Sequence, residues 1–568
     1  MPKSVFRAAV VQTLAKLGDF DHNITLMTTY VAEAVRQGAE LVVLPECMDT
    51  GYLFDSPEHC AELAEQIPGG PFVTAMAGLC KKHGIYIASG ITEKDGDKIF
   101  NTGLMLDRDG QVAVHYHKQF LATHDQNWFA FGERGCPVVD TDLGRIGLLI
   151  CFDGRIPEIA RSLALQGAEV IVDMANFFAM DQADMWGPAR AFENGIWLVA
   201  ATKAGYERSI YYPGGSMIAD PEGRVVTSIP YDTHGVAVAD IDLAAARHKR
   251  VYGANNKISD RRPDAYGILK TPYDETPVAK VVWEPIVPAE ATSKVAAVQS
   301  HVADLLPGPE TTGADDVFDM LDHTAKLGVK VLCLPEYAFS PAWVPDAAGA
   351  AELAKAHPSH VARAAGIAAR YGCVIAVPGV LKDNGRLFPA TTLVGPDGVI
   401  GSYRKVHLTA EEEKWASAGA DFPVFETPFG RVGIMMGYDG LFPEASRCLG
   451  VAAADIVLWP AALRTPQERE WLTVPRAADN RVALVLANRL DCPYPGGSLA
   501  VPPNGFPHWD INVVAPKSLK MGAVMPMFVD LAVCRQKQMI PKVDMFANRL
   551  TATYGPLVEA LAVADVAE

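Results

Sequence analysis

Residues 144–158 read Gly144-Arg145-Ile146-Gly147-Leu148-Leu149-Ile150-Cys151-Phe152-Asp153-Gly154-Arg155-Ile156-Pro157-Glu158. The apolar run before Cys151 has the length of a buried strand, and a proline followed by a glutamate is typical of the first turn of a helix. The stretch therefore predicts a strand, a short turn and a helix. Cys151 falls at the carboxyl end of the strand, where α/β proteins commonly place active-site residues. Taken alone, a cysteine after an apolar run is more often a core thiol.

Nearly the same stretch occurs again at residues 430–444, and other segments recur in the same order. The matched pairs are Glu46 and Glu336 in Leu-Pro-Glu, Lys118 and Lys405 after Tyr-x, and Cys151 and Gly437. Their separations of 290, 287 and 286 residues barely drift along the chain. A match of such long period indicates two copies of one domain.

Each copy alternates strand and helix patterns, with hairpins between them. The first begins with a strand at 7–12, a helix at 23–37 with one apolar face, and a strand at 41–44. This order predicts an α/β layered sandwich. We predict domains at residues 1–270 and 293–568, joined by a proline-rich, ordered and fairly extended linker at 271–292.

Bulk properties limit the classes of function. The net charge of −17 and the pI near 5.3 argue against nucleic acid or an anionic membrane as partner, so a small-molecule substrate is the better expectation. The chain has no signal-peptide pattern, and we expect a cytoplasmic protein. Ten cysteines lie scattered without zinc-ligand spacing, and no nucleotide-binding loop occurs. We therefore predict no metal and no cofactor.

A cysteine nucleophile needs a proton acceptor, and acyl transfer needs positive charge or N–H donors where the oxyanion forms. Glu46 ends an apolar strand, where burial raises the pKa of a carboxyl toward the range useful for proton transfer. Lys118 ends the strand at 112–117. Each could be an ordinary solvated residue, but with Cys151 the three form a plausible catalytic group.

The three segments around Glu46, Lys118 and Cys151 resemble the catalytic Glu, Lys and Cys blocks of the nitrilase or carbon–nitrogen hydrolase superfamily. The resemblance covers both copies and implies two tandem αββα four-layer sandwiches that hydrolyse an amide-like carbon–nitrogen bond. It implies that Cys151 attacks the substrate carbon and that Glu46 accepts the thiol proton. Lys118 and the backbone N–H of Phe152 would hold the oxyanion.

Members of this family usually carry a further glutamate shortly after the lysine. In the first copy that position falls on Gln126, with Asp125 beside it, and either residue could replace the glutamate. The second copy keeps Glu336, Lys405 and a glutamate that we assign to Glu413. Because Gly437 replaces the cysteine there, we predict that the second domain is catalytically silent.

Aromatic and amide side chains near the three blocks are the expected pocket walls. We assign Tyr52, Trp128, Asn176 and Phe177 to substrate binding, with Phe178 beside them, although core packing explains an aromatic residue equally well. Asp153-Gly154 after Cys151-Phe152 resembles amidase branches of the family more than nitrilases. An amide is therefore the favoured substrate.

Three hypotheses follow. The leading one is a cysteine-dependent amidase that releases ammonia through a thioester, with the two copies pairing inside one chain and further homo-oligomerisation possible. The second is a nitrilase or an N-carbamoyl amide hydrolase. The third is an inactive binding or scaffold protein, which the uncharged Gln126 and Gly437 would explain. Membrane-bound acyl transfer and glutamine-fed amide synthesis are set aside, since the sequence offers neither membrane helices nor a nucleotide-binding domain.

Overall fold

The computed structural model describes residues 4–122, 124–281, 292–300, 313–506, 509–510 and 523–560. The chain divides into two compact units. The first unit comprises Met1–Lys249, Ile540–Asp544 and Asn548–Glu568, and the second comprises Arg250–Met539 and Met545–Ala547. Residues 250–281 thus group with the second unit, although the sequence repeat assigns residues up to 270 to the first copy.

The first unit contains two six-stranded sheets and a small hairpin. Its strands are Val5–Gln12 (β1), Leu41–Val43 (β2), Tyr86–Asp95 (β3), Lys98–Leu106 (β4), Val112–His117 (β5), Val138–Thr141 (β6), Gly144–Ile150 (β7), Val170–Ala175 (β8), Trp197–Thr202 (β9), Ala204–Glu207 (β10), Ile210–Pro213 (β11), Met217–Ala219 (β12), Val225–Ser228 (β13) and Gly235–Asp242 (β14). Its helices are Phe20–Arg36 (α1), Pro57–Leu63 (α2), Pro71–His83 (α3), Asp125–Trp128 (α4), Pro157–Leu165 (α5), Gly187–Asn194 (α6) and Leu243–Arg247 (α7).

The two sheets of the first unit pack face to face. Their strand orders are β14-β1-β2-β3-β4-β5 and β13-β12-β9-β8-β7-β6. Strand β1 contacts β9, β3 contacts β8 and β4 contacts β7, while α3 covers the first sheet and α5 and α6 cover the second. Parallel strands β2 and β8 read as continuous apolar runs because both of their faces are buried. This is the predicted αββα sandwich.

The second unit repeats this architecture. Its strands are Thr292–Gln299 (β15), Val331–Cys333 (β16), Val374–Asp383 (β17), Arg386–Gly395 (β18), Gly398–Arg404 (β19), Val424–Thr427 (β20), Gly430–Ile434 (β21), Ile456–Ala461 (β22), Ala483–Asn488 (β23), Leu499–Val501 (β24), Trp509–Asp510 (β25) and Ala523–Asp530 (β26). Its sheet orders, β19-β18-β17-β16-β15-β26 and β20-β21-β22-β23-β24-β25, match those of the first unit strand for strand. The predicted duplication is confirmed.

The remaining elements complete the second half of the chain. They are the helices Pro277–Val281 (α8), Gly313–Lys326 (α9), Ala347–Tyr371 (α10), Pro443–Val451 (α11), Thr473–Ala478 (α12), Leu531–Arg535 (α13) and Gly555–Val558 (α14), and the short strands Gln538–Ile540 (β27) and Val543–Asp544 (β28). No helix among the described residues combines the length and the apolar character that crossing a bilayer requires.

The predicted linker at 271–292 is only partly described. Residues 271–281 contain a 3-10 turn at Tyr273–Glu275 followed by α8, so this part is not the extended segment that we predicted. Pro277 begins the helix, where a missing N–H costs nothing. Residues 282–291, which include Pro285 and Pro288, lie outside the described residues.

Candidate functional site

Cys151 lies where the prediction placed it, directly after β7. It begins the 3-10 segment Cys151–Arg155, and its φ of 51° is in the left-handed region that residues with a Cβ seldom adopt. The buried Asp173 carboxylate accepts from the Cys151 N–H at 2.7 Å, and the Gln182 amide donates to the Cys151 carbonyl oxygen. The thiol itself lies 3.6 Å from the Asn176 carbonyl oxygen. The unusual backbone of this residue is therefore held by side chains on both sides.

Asp153 fixes the turn after Cys151. Its carboxylate accepts from the Ile150 N–H at 3.1 Å, the Phe120 N–H at 2.8 Å and the Tyr116 hydroxyl at 2.8 Å. Burial raises the pKa of Asp153 to about 7, against the opposing charge of Lys118 and these hydrogen bonds. This carboxyl joins the segment that follows β5 to the turn that carries the thiol.

Glu46 follows β2 and is 1% exposed. The Asn101 amide on β4 donates to its Oε1 at 2.6 Å. Gly90 on β3 packs so closely that a Cβ there would lie 2.4 Å from the Glu46 Cα, so only glycine allows this approach. Neighbouring strands thus place the carboxyl, and Asn101 is a site residue that the sequence reasoning missed.

Lys118 bridges two carboxylates in the interior. Its Nζ lies 2.7 Å from Glu46 Oε1 and 2.7 Å from Asp125 Oδ2, and all three side chains are at most 1% exposed. Asp125 also accepts from the Ala122 N–H at 2.8 Å, which ties its loop to the lysine. The two carboxylates compensate the charge of the buried ammonium and so offset the free-energy cost of its desolvation.

Burial and charge set the protonation of the group. Burial raises the pKa of Cys151 well above its usual value, the Glu46 charge raises it further, and Lys118 partly opposes both. Burial also raises the pKa of Glu46, while Lys118 lowers it. For Lys118, burial acts to lower the pKa, but Asp125 and Glu46 outweigh it and hold the pKa well above normal. The resting group therefore combines a neutral thiol, a basic carboxyl and a charged lysine.

Asp125, not Gln126, takes the place of the second glutamate. The Gln126 amide points elsewhere and donates to the carbonyl oxygens of Leu121 at 3.2 Å and Lys542 at 2.7 Å. Of the two residues that the sequence leaves open for this position, Asp125 is therefore the one that contacts Lys118. The sequence holds a signal for this choice, since an acidic residue comes seven residues after the lysine in both copies, whereas the position eight residues after it is acidic only in the second copy.

We expect Asp125→Asn to lower kcat by roughly tenfold to a hundredfold, because an amide cannot balance the Lys118 charge and misplaces the ammonium. Gln126→Ala is the matched control and should change kcat less than about twofold. Steady-state kinetics of the two purified variants measure the difference. Equal losses in both variants would contradict the role given to Asp125.

The aromatic residues predicted to line the pocket have different surroundings. Tyr52 is buried beside the site, where Asp125 and Glu46 add to burial in raising the pKa of its hydroxyl. Trp128 lies on α4, and its ring packs edge-on against Phe54 at 5.9 Å. Phe178 contacts Tyr52 at 6.2 Å between ring centres, whereas Phe177 is buried, with its N–H donating to Thr202. Phe178 is thus the aromatic residue that contacts Tyr52, and the assignment of Phe177 to substrate binding stays a prediction.

Several buried polar atoms of the predicted pocket residues and of Tyr212 have no hydrogen-bond partner among the described residues. They are both side-chain atoms of Asn176, the Tyr212 hydroxyl and the Trp128 Nε1. The Tyr212 ring stacks on Phe178 at 5.5 Å, and Cys151 is among the groups that raise the pKa of its hydroxyl, after burial and nearer acids. An unpaired buried polar atom is costly, so these atoms are candidates for contacts with a polar substrate.

The corresponding place in the second unit keeps the charges without a thiol. Lys405 Nζ lies 2.8 Å from Glu336 Oε1 and 2.8 Å from Glu412 Oε1. Glu412 is buried and is also held by the Thr409 N–H, whereas Glu413 is exposed. The prediction of Glu413 as the second glutamate is therefore wrong by one residue, because Glu412 is the acid that contacts Lys405.

In the second unit, Glu336 occupies the space of the missing side chain. Gly437 has a φ of 42°, close to that of Cys151, and a Cβ on it would lie 2.2 Å from Glu336 Oε2. Trp459 replaces Asp173 and donates through Nε1 to the Gly437 carbonyl oxygen at 3.0 Å. The loss of the cysteine is thus accompanied by repacking around it, beyond a single substitution.

We expect Gly437→Cys, introduced into a Cys151→Ala chain, to restore no turnover. The new side chain would need the volume that Glu336 fills. The backbone N–H of residue 437 would also lack a carboxylate like that of Asp173, because Trp459 stands at the corresponding position. Ammonia release measures the outcome, and circular dichroism checks the fold. Recovery of hydrolysis would show that the second site is blocked by the missing thiol alone.

A profile of the carbon–nitrogen hydrolase family matches residues 7–250 and 294–507. The chain is 37% identical over 260 residues to a nitrilase of Pyrococcus abyssi, which covers 46% of this chain and 98% of that protein. It is 30% identical over 287 residues to an N-carbamoylputrescine amidase of Solanum lycopersicum, covering 46% of this chain and 93% of that one. An amidase structure from Nesterenkonia sp. aligns with a TM-score of 0.39 and 26% identity, covering 44% of this chain and 95% of that one.

Proposed function

Because the chain belongs to the carbon–nitrogen hydrolase family, we propose that its first unit hydrolyses the carbon–nitrogen bond of a small amide with Cys151 as the nucleophile. The observation that carries the proposal is the buried group around Lys118, with Glu46 and Asp125 both 2.7 Å from its Nζ, next to the thiol. A thiol, a basic carboxyl and a fixed cation are the parts that acyl transfer requires.

The first step forms a bond between Cys151 Sγ and the substrate carbonyl carbon. Because the pKa of the thiol is raised, the proton must leave during attack, and Glu46 is the nearby acceptor whose own pKa burial raises. The carbonyl oxygen becomes an oxyanion. Lys118 and the N–H of Phe152, in the first turn of the 3-10 segment, supply the positive charge and the donor that stabilise it.

The second step breaks the carbon–nitrogen bond. The proton held by Glu46 passes to the leaving nitrogen, ammonia departs and a thioester remains on Cys151. Water then attacks the thioester carbon while Glu46 accepts its proton, and the acid leaves as that proton returns to the sulfur. Lys118 keeps its charge throughout, since its raised pKa prevents it from acting as the base.

The unpaired atoms of Asn176, Tyr212 and Trp128 favour a substrate that carries polar groups besides the reacting amide.

Asp153 adds less to the choice between amide and nitrile than the sequence around it suggests. Asp439 repeats it in the second unit, accepting from the Met436 and His407 N–H groups and the Tyr403 hydroxyl, so this carboxyl shapes the turn in both copies.

A substrate panel tests the proposal. Primary amides, nitriles and N-carbamoyl amines are incubated with the full chain, and released ammonia is measured beside a Cys151→Ala chain. We expect ammonia from one or more primary amides and none from the variant. Turnover of nitriles or N-carbamoyl compounds without any amide would favour the second hypothesis. No turnover of any compound, with Cys151 no faster than the other thiols toward iodoacetamide, would overturn the proposal.

The scaffold alternative receives no support from the first unit. Its motive was the uncharged Gln126, but Asp125 supplies the carboxylate at 2.7 Å from Lys118. The second unit is different, since Glu336 fills the space in which a nucleophile would lie. We therefore assign hydrolysis to the first unit alone and propose a silent ion cluster in the second.

A further inference from the structure

We propose that Glu93, His115 and His117 form a binding site for a divalent transition-metal ion such as Zn²⁺, separate from the hydrolytic site. The three residues lie in the first sheet of the first unit. The Nε2 atoms of His115 and His117 lie 2.7 Å and 2.9 Å from Glu93 Oε2, and one ligand atom from each residue lies within 4.8 Å of the others. Neither the proposed hydrolysis nor the predicted pocket uses any of them.

Strand geometry brings the three side chains together. His115 and His117 alternate along β5 and so point to the same face, and His117 pairs across β4 with Thr102, whose hydroxyl donates to Glu93 Oε2 at 2.6 Å. Asn101, the neighbour of Thr102, points the other way and bonds Glu46. The cluster therefore occupies the face of the sheet opposite the hydrolytic group.

The donor set suits zinc and its neighbours. Zinc binds histidine nitrogen and carboxylate oxygen at about 2.0–2.2 Å in tetrahedral sites, which separates adjacent ligand atoms by about 3.4 Å. The contacts of 2.7 Å and 2.9 Å would need to open by about 0.7 Å and about 0.5 Å to admit the ion. Three protein ligands leave a fourth position for water, and Thr102 would support the carboxylate from behind.

The fold does not require this cluster. The second unit builds the same three strands, and its hairpin register gives Leu381, Ser402 and Arg404 as the counterparts of Glu93, His115 and His117. None of these side chains is a usual zinc ligand. The donor set thus belongs to the copy that carries the thiol, and the same sheet forms without it in the second unit.

One contact opposes the ion and gives the proposal a sharp test. Arg134 Nη1 lies 3.2 Å from His115 Nδ1, and the same guanidinium pairs with Asp95 at 2.7 Å. Donation to Nδ1 keeps the ring proton on Nε2, whereas an ion on Nε2 needs that proton on Nδ1. Arg134 is 49% exposed and can move away, so removing it should strengthen binding.

The test is a Co²⁺ titration of the full chain, followed by visible absorption and by competition with Zn²⁺. We expect one site per chain in the unaltered protein and in Cys151→Ser, which excludes the nucleophile as a ligand. His115→Ala should weaken binding at least about tenfold, and the His115→Ala/His117→Ala chain should abolish the signal. Arg134→Ala should bind several-fold more tightly. His22→Ala, at an exposed histidine on α1, should bind like the unaltered chain.

Two results would overturn the proposal: no binding by the folded unaltered chain at micromolar Co²⁺, or equal binding by the unaltered chain and His115→Ala. His115 is chosen for the single variant because its side chain is 21% exposed, so its removal should leave the fold intact. Circular dichroism checks each variant, and Glu93→Gln, which keeps an acceptor oxygen for Thr102, replaces the double variant if that chain does not fold. Amide turnover is measured in parallel, so failure of the metal site and failure of the hydrolase proposal remain distinguishable.

Discussion

Cys151→Ala should reduce amide turnover by roughly 10⁴-fold or more, to the level of the uncatalysed background. The thiol forms the covalent bond in the proposed mechanism, and the methyl group of alanine cannot form that bond. The fold should survive, because the backbone of residue 151 is held by Asp173 and Gln182 rather than by its own side chain. Ammonia release and thermal unfolding, measured on one preparation, check both statements.

Cys80→Ala is the matched control for the loss of a thiol. Cys80 is also fully buried, but it lies on α3 with its pKa raised to about 12 by burial, in the core between that helix and the sheet. Its removal should lower stability modestly and leave the rate per folded chain nearly unchanged. If Cys151→Ala retained more than about a tenth of the activity, the assignment of the nucleophile would be wrong.

Glu46→Gln should lower kcat by about 10²–10⁴-fold, because a general base contributes on this order. The amide keeps the shape of the side chain and can still accept from Lys118, so binding should change less than kcat. Glu46 also gives the pH dependence its sign. Since burial raises its pKa, activity should fall as the pH drops through a value above that of an ordinary glutamate.

The pH profile of the unaltered chain therefore needs an acid limb displaced toward neutral pH, and the residual activity of Glu46→Gln should lack that limb. Glu65→Gln offers a comparison, since burial also raises the pKa of Glu65, which binds the backbone N–H groups of Phe72 and Val73 away from the thiol. A limb that persists in Glu46→Gln, or disappears in Glu65→Gln, would contradict the role of Glu46.

The layered fold and the duplication could be predicted because their signals are local. The apolar runs at 41–44 and 146–150 coincide with β2 and β7, which end shortly before Glu46 and directly before Cys151. The repeat then transferred each element to the second copy. The helical part of the linker could not be predicted in this way, since a proline-rich segment favours an extended chain, whereas Pro277 begins a helix.

The side-chain partners were harder to predict. Asn101 contacts Glu46, 55 residues away in sequence, because β4 lies beside β3. No sequence pattern around Asn101 predicts that contact. The proposed metal site has the same origin. The prediction of no metal rested on the absence of closely spaced ligands, whereas sheet pairing brings Glu93 to two histidines more than twenty residues away.

The most direct test of the central claim is mass spectrometry of the intact chain, quenched in acid during turnover of an amide that the panel identifies. The proposed mechanism predicts a fraction of protein heavier by the acyl group, with the adduct on the peptide that contains Cys151 and absent from Cys151→Ala. Steady turnover with no adduct on any cysteine, or with the acyl group on a thiol other than Cys151, would contradict it.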